Sequence, residues 1–355
     1  MVLAHFFPSK DPLTGRGRLK KNASAIPLTN EEIKLVLSKS SCSSARGPDG
    51  IPYPVWKKVN FINPTILPDL LSPLVDFGYH PPSVKTANVV ALDKPAKASY
   101  DSPTSFHIIV LLKTVSMILG RILTVSLSAF ARSKHLLHPN QCSCLPGLSS
   151  SDACLTLMHE VKTLQRPRLE VSTMFLDIKA GFDNVNAYTL RASLLASWVP
   201  WYMVDWVSSF LSERTCTLVF QGSPNIPSPV SVGPPQGSPI PPLLFLLYVA
   251  PLHMSVPEGL MVSYVEDFSI TVATPSHRGN VRRLQTLFST IAAKGWDIGV
   301  SFSVPKTELM HWRTRSQSTA PSHAPIELEG HLFRPSQLVR WLGYWFTPGS
   351  NTAHH

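Results

Sequence analysis

Several features that mark common protein classes are scarce in this chain. Only five of its 355 residues are cysteine, at positions 42, 142, 144, 154 and 216. None forms a Cys-x-x-Cys pair, which argues against a zinc site. The odd count and the lack of a secretory signal point to reduced thiols and an intracellular protein, in nucleus or cytoplasm. The opening Met1-Val2-Leu3-Ala4-His5-Phe6-Phe7-Pro8 is apolar but too short for a signal h-region and cleavage site. Charged residues are few, 15% against 44% hydrophobic, which excludes a disordered polar tail. The longest apolar run, residues 243–252, contains Pro251 and falls far short of the roughly 20 residues a membrane helix needs. No membrane partner is expected. His135, His138 and His159 follow no metal-binding spacing, the closing His354-His355 is merely a terminus, and no Walker-type phosphate loop is present.

What remains is a chain long enough for two or three packed subdomains. Its 33 prolines, nearly twice the usual ~5%, predict short or interrupted helices. The net charge of +10 suits a polyanionic partner, nucleic acid first. Charge alone leaves a basic protein without a special partner equally open. The densest basic stretch, residues 16–21, suits a solvated loop as well.

Local pattern outlines the elements. Thr29-Asn30-Glu31-Glu32 is a capping box opening a helix with Ile33, Val36 and Leu37 on one face. Residues 46–50, Arg-Gly-Pro-Asp-Gly, form a turn. Residues 55–80 predict helical pieces broken by Pro64, Pro68 and Pro73. Residues 85–97 predict a strand ending in a basic turn, and 105–130 a helix. Residues 136–153 predict a loop entering a helix capped by Ser150 or Ser151. Strands follow at 171–178, 215–222 and 261–272, with helices at 188–212 and 280–294. Lys306-Thr307-Glu308-Leu309 is expected on a strand.

Two of these strands end in carboxylates: Phe175-Leu176-Asp177-Ile178 and Tyr264-Val265-Glu266-Asp267. Between them lies Gly233-Pro234-Pro235-Gln236-Gly237-Ser238-Pro239, followed by the apolar run. Carboxylates gathered from separate strands can hold two divalent metals for in-line phosphoryl transfer. In this order the three blocks resemble the palm of a reverse transcriptase, of the kind encoded by LINE-type (non-LTR) retrotransposons. The resemblance extends over about residues 28–346. It includes the Gly-Pro-Asp-Gly turn, Lys306-Thr307-Glu308 and Trp341-Leu342-Gly343-Tyr344.

The resemblance implies an α+β right-hand polymerase. Residues 1–85 would lead into the fingers, 86–170 form the fingers, and 171–346 form the palm with its primer-grip hairpin. Residues 347–355 would be a truncated tail, with the thumb largely absent. It implies RNA-directed DNA synthesis from an RNA template, a DNA primer and dNTPs, with two Mg²⁺ or Mn²⁺ ions held by Asp177, Glu266, Asp267 and the Ile178 carbonyl. Phe182 would block a ribose 2′-OH, Asp183 would be structural, and Gln236 and Gly237 would meet the templating pair. Lys94, Lys97 and His107 would meet phosphate or template, Lys306 would protonate the leaving pyrophosphate, and Gly343 would approach the primer.

Two positions depart from the family pattern. Glu266 stands where the family has aspartate, and its extra carbon adds roughly 1.5 Å. A misplacement of about 1 Å can cost on the order of 10²-fold. His107 stands where the family has arginine, and a neutral imidazole lacks that residue's fixed charge and bidentate fork. With the short tail, these departures imply a partial or decayed copy with impaired activity. The alternative function is a non-catalytic remnant that binds RNA or template-primer. A third, an intron-encoded or telomerase-type relative, would carry maturase or RNA-binding extensions that the sequence does not display.

Overall fold

The computed structural model describes residues 28–95, 99–102, 105–144, 147–179, 181–182, 184–220, 223–230, 233–235, 237–257, 259–313, 324–349 and 352–353. Helices and strands are mixed, giving an α+β chain. It packs as two compact units, each made of two separate stretches: Met1–Lys134 with Phe182–Leu244, and His135–Gly181 with Phe245–His355.

In the first unit, helix Asn30–Ser38 starts at the expected capping box. The Glu32 amide donates to Thr29 Oγ1 at 3.2 Å, and the Thr29 amide donates to Glu32 Oε2 at 2.8 Å. Pro64 separates helices Tyr53–Ile62 and Ile66–Asp76, but Pro68 and Pro73 break nothing. Pro68 sits in a first turn, where its missing N–H has no intrahelical partner to lose. Pro73 is carried inside a helix whose Leu67, Leu71 and Val75 stay buried along one face.

The stretch expected as one helix over 105–130 divides. Its start is strand Phe106–Leu112, rich in β-branched residues and paired antiparallel with Thr86–Asp93. Its remainder is helix Thr114–Ser133. That helix is long and apolar enough to cross a membrane, yet Ile118, Leu119, Leu123 and Leu127 are buried within the unit, as in a core helix. Strand Thr86–Asp93 also pairs in parallel with Arg214–Phe220, which completes the central part of this sheet.

The second unit holds a four-stranded sheet in the order Met261–Tyr264, Asp267–Thr274, Glu170–Asp177, Glu308–Trp312. Glu170–Asp177 is internal, and six of its eight residues are buried. The single strand expected over 261–272 is a hairpin, with Tyr264 opposite Asp267. The helix expected over 280–294 runs from His277 to Ile298, with Ser276 accepting from the Gly279 amide and Gly299 ending it at φ 75°. Helix Ser150–Leu164 is capped by Ser149, one residue before the expected cap, in a box with Asp152. Helix Pro241–Met254 tolerates Pro251 near its end, with Leu246, Val249 and Leu252 buried. Strands Val339–Trp341 and Tyr344–Phe346 form the expected hairpin. Its turn residues, Leu342 and Gly343, both have positive φ, as a primed two-residue turn demands. Trp341 and Phe346 pack against Phe175 with tilted rings, their centroids 5.9 and 6.3 Å away.

Candidate active site

The register between Glu170–Asp177 and Asp267–Thr274 ends with Asp177 opposite Asp267. Like charges placed directly across a ladder repel. Burial, and then the charge of Asp177, push the Asp267 carboxyl up to about 6, while Lys306 opposes the rise. Lys306 Nζ lies 2.5 Å from Asp177 Oδ2. It stands on the short 3-10 turn Val304–Lys306, ahead of strand Glu308–Trp312 rather than on it.

Backbone bonds fix that turn beside the carboxylate. The Ser303 amide donates to the Asp177 carbonyl at 2.7 Å, and the Lys179 amide to the Ser301 carbonyl at 2.9 Å. Ser301 and Ser303 were not among the expected site residues, because they act through the backbone and leave no side-chain signal in the sequence.

Glu266 occupies the two-residue turn between the hairpin strands. Its carbonyl accepts from the Ile178 amide at 3.1 Å, which brings Ile178 and Glu266 together. Val265 before it has φ 55°. A β-branched residue there is strained, and such strain concentrates at functional sites. The Val265 amide donates to Ser143 Oγ at 3.0 Å, a support the sequence did not announce. Gly181 is equally constrained. A Cβ there would stand 2.8 Å from the Phe245 ring and 2.9 Å from Glu266 Oε1. Among the described residues, no three His, Cys, Asp or Glu side chains form a metal-binding group. The structure therefore pairs Asp177 with Asp267 and joins Glu266 to Ile178 through the backbone.

Gly343 lies in the same unit, at φ 86° with open space where a Cβ would be. Phe182, Lys94, His107 and Gly237 belong to the first unit. Phe182 is half-buried, and its carbonyl accepts from the Val185 amide at 3.4 Å. The Lys94 amide donates to the Ser105 carbonyl at 2.9 Å, and His107 pairs in register with Leu92. Gly237 has φ 120°, and a Cβ there would stand 2.6 Å from the Val110 carbonyl oxygen. Its close approach is thus to this chain's own strand. Gln236, Lys97 and Asp183 lie outside the described residues.

Residues 93–346 match the family model described as reverse transcriptase (RNA-dependent DNA polymerase). The chain is 24% identical over 327 residues to the probable RNA-directed DNA polymerase from transposon BS of Drosophila melanogaster. It is 25% identical over 334 residues to the RNA-directed DNA polymerase from mobile element jockey of the same organism. Each match takes in 89% of this chain and 35% of the relative, so the chain spans about a third of their length. Among solved structures it is similar to apo telomerase from Candida tropicalis truncated from its C-terminal domain, with a TM-score of 0.51 and 12% identity. That match covers 86% of this chain and 61% of the other, and at such identity it speaks for the fold alone. With the family model spanning most of its length, the chain belongs to the reverse transcriptase family and is related to the enzymes of non-LTR retrotransposons.

Proposed function

We propose that this chain carries the nucleotidyl-transfer site of an RNA-directed DNA polymerase, extending a DNA primer on an RNA template with dNTPs. The observation that carries this reading is the register that sets Asp177 opposite Asp267. In this reading the four-stranded sheet is the palm, residues 86–170 supply the fingers, and the hairpin of Val339–Trp341 and Tyr344–Phe346 is the primer grip.

The pair suits a divalent cation. Its donors are hard carboxylate oxygens, as Mg²⁺ or Mn²⁺ prefers. Burial, and then the charge of Asp177, raise the Asp267 carboxyl, and a cation between the two would oppose that rise as Lys306 already does. Asp177 and Asp267 would hold the ion, with Glu266 and the Ile178 carbonyl as further ligands. Such an ion would neutralise charge developing on the phosphoryl oxygens. Lys306, on its flexible stem, contacts Asp177, and in this reading it would give a proton to the leaving pyrophosphate. Phe182 is the proposed filter against a 2′-OH. In this reading Lys94, Lys97 and His107 would contact phosphate or template, and Gln236 and Gly237 would belong to the turn that meets the templating pair.

Primer extension on an RNA template with Mg²⁺ tests the proposal. Extension by the native chain that disappears in both Asp177→Asn and Asp267→Asn supports it. Extension that survives Asp177→Asn sinks it. A second reading, a non-catalytic RNA binder, draws support from the Lys306 ammonium already seated on Asp177. It predicts RNA binding without extension.

A further inference from the structure

Helix His277–Ile298 divides cleanly into two faces. Val281, Leu284, Leu287, Phe288 and Ile291 are buried, while Arg278, Arg282, Arg283, Thr286, Ser289 and Thr290 are exposed. At 100° per residue the exposed group spans one arc of about 140°. Three arginines crowd the first two turns of that arc. Like charges so close repel, and cations near a helix N-terminus oppose the macrodipole. The first turn contains no acidic residue to offset them. Among the described residues, none of the three guanidinium groups forms an ion pair. The carboxylate of Glu170, beside the start of the helix, is engaged with His277 at 3.0 Å. Glu327 lies on the neighbouring strand, where its carbonyl accepts from Gln285 Nε2 at 3.0 Å. The helix end itself is satisfied by Ser276, whose Oγ accepts from the Gly279 amide at 3.1 Å. The unmet positive charge is therefore on side chains that reach into solvent.

We propose that this arginine face is a docking strip for the phosphate backbone of RNA, separate from the Asp177–Asp267 pair. Charge complementarity selects the partner. Three unpaired guanidinium forks match phosphate oxygens. The neighbouring hydroxyls of Thr286, Ser289 and Thr290 already donate to the Arg282, Gln285 and Thr286 carbonyls of the helix, so the arginines are the donors of the strip. Contacts to the phosphate backbone carry no sequence information, so the docking would be indifferent to sequence. It rests on the polymerase reading only in taking RNA as the polyanion.

The test measures binding of a fluorescently labelled single-stranded RNA oligonucleotide between 50 and 200 mM KCl, using the full chain. Each phosphate neutralised adds about 0.7 to the slope of log K against log salt for a single strand. Replacing all three arginines (Arg278→Gln, Arg282→Gln, Arg283→Gln) should flatten the slope by about two units. The matching triple change to lysine keeps the charge and should keep the slope. All three positions are exposed, so both variants should melt like the native chain, and a Gln variant that binds RNA with the native slope overturns the docking strip. Loss of slope in the Lys variant as well overturns it too, because charge would not be the cause. Vesicles of anionic phosphatidylserine form a second arm: a Gln variant that loses vesicle binding and keeps RNA binding refutes RNA as the partner. A native chain that ignores RNA at 50 mM KCl defeats the polymerase reading itself, an outcome distinct from the others.

Discussion

Lys306 Nζ closes to 2.5 Å from Oδ2 of Asp177, the carboxylate that stands in register with Asp267. The ammonium is 69% exposed and the carboxylate 22%, so a mobile cation caps a sheltered acid. Stability should gain little from such a contact, well under about 1 kcal/mol. Its effect is electrostatic: Lys306 restrains the rise at Asp267 that burial and Asp177 produce. Lys306→Met should therefore move the Asp267 carboxyl above about 6. Asp177→Asn should move it down. Carbon-13 titration of the side-chain carboxyls, without divalent metal, reads both directions, and the same direction in both variants would refute the three-charge arrangement.

Glu266 carries one carbon more than the family's aspartate at this turn. Its Oε1 reaches toward Gly181, where a Cβ would come within 2.9 Å. Glu266→Asp should withdraw the carboxylate toward the turn and raise primer extension, by up to about 10²-fold if reach is the defect. If neither form extends a primer, the attribution to Glu266 fails and the RNA-binding reading gains.

Phe182 follows the end of strand Glu170–Asp177 by five residues and is half-buried. In a chain that extends primers, Phe182→Ala should admit ribonucleotides by opening space under the sugar. The ratio of ribonucleotide to deoxyribonucleotide incorporation should rise. An unchanged ratio makes Phe182 a packing residue.

Three buried histidines make the fold sensitive to acid. Burial holds His80 down to about 3, with Lys85 adding to it. Burial likewise holds His253 to about 3 and His311 to about 4. Each packs neutral: His80 against Trp206 and Ser116, His253 against Ser263, His311 against Ser172. The unfolded chain takes up these protons below about pH 6.5, whereas the folded chain does so only near pH 3–4. Stability is therefore fully present above pH 6.5 and is lost as pH falls toward 3–4. At pH 5 each histidine should account for a loss of about 2 kcal/mol relative to neutral pH. Urea melts at pH 7 and pH 5 should show this drop, and His80→Asn should shrink it even if it lowers stability at pH 7. An identical drop in that variant would remove His80 from the account.

The parts of the fold that were legible in sequence are those set by local chemistry. The capping box at Thr29 and the strand ending at Asp177 follow from residue type and period, and the Leu342-Gly343 turn from the family resemblance. The errors arose where neighbours override local preference. Residues 106–112 form a strand because Thr86–Asp93 offers a partner, although the apolar run continues into a helix. Pro73 stays helical because Leu71 and Val75 are buried. At the site, order and type of residue marked Asp177, Glu266 and Asp267. Neither the Lys306 contact nor the backbone clamp from Ser301 and Ser303 could be read, since both depend on register across long sequence separations.

Trp198 supplies a test of strain away from the site. It follows helix Ala187–Ala196 at the position where a left-handed residue closes the helix. Its amide donates to the Leu195 carbonyl, and the Val199 amide to the Leu194 carbonyl, the bond pair that normally surrounds a glycine. Trp198 adopts φ 58° there and leaves its side chain 87% exposed. A left-handed L-residue costs about 1–2 kcal/mol. Glycine avoids that cost but adds freedom to the unfolded chain worth roughly 0.5–1 kcal/mol. Trp198→Gly should therefore stabilise the chain by about 0.5–1 kcal/mol. Trp198→Ala keeps the strain and loses little packing, so it should change stability by less than about 0.5 kcal/mol. Urea melts of the two variants separate backbone from side chain. A glycine variant no more stable than the alanine variant would show that this backbone is at ease with a side chain, and that strain plays no part at the helix end.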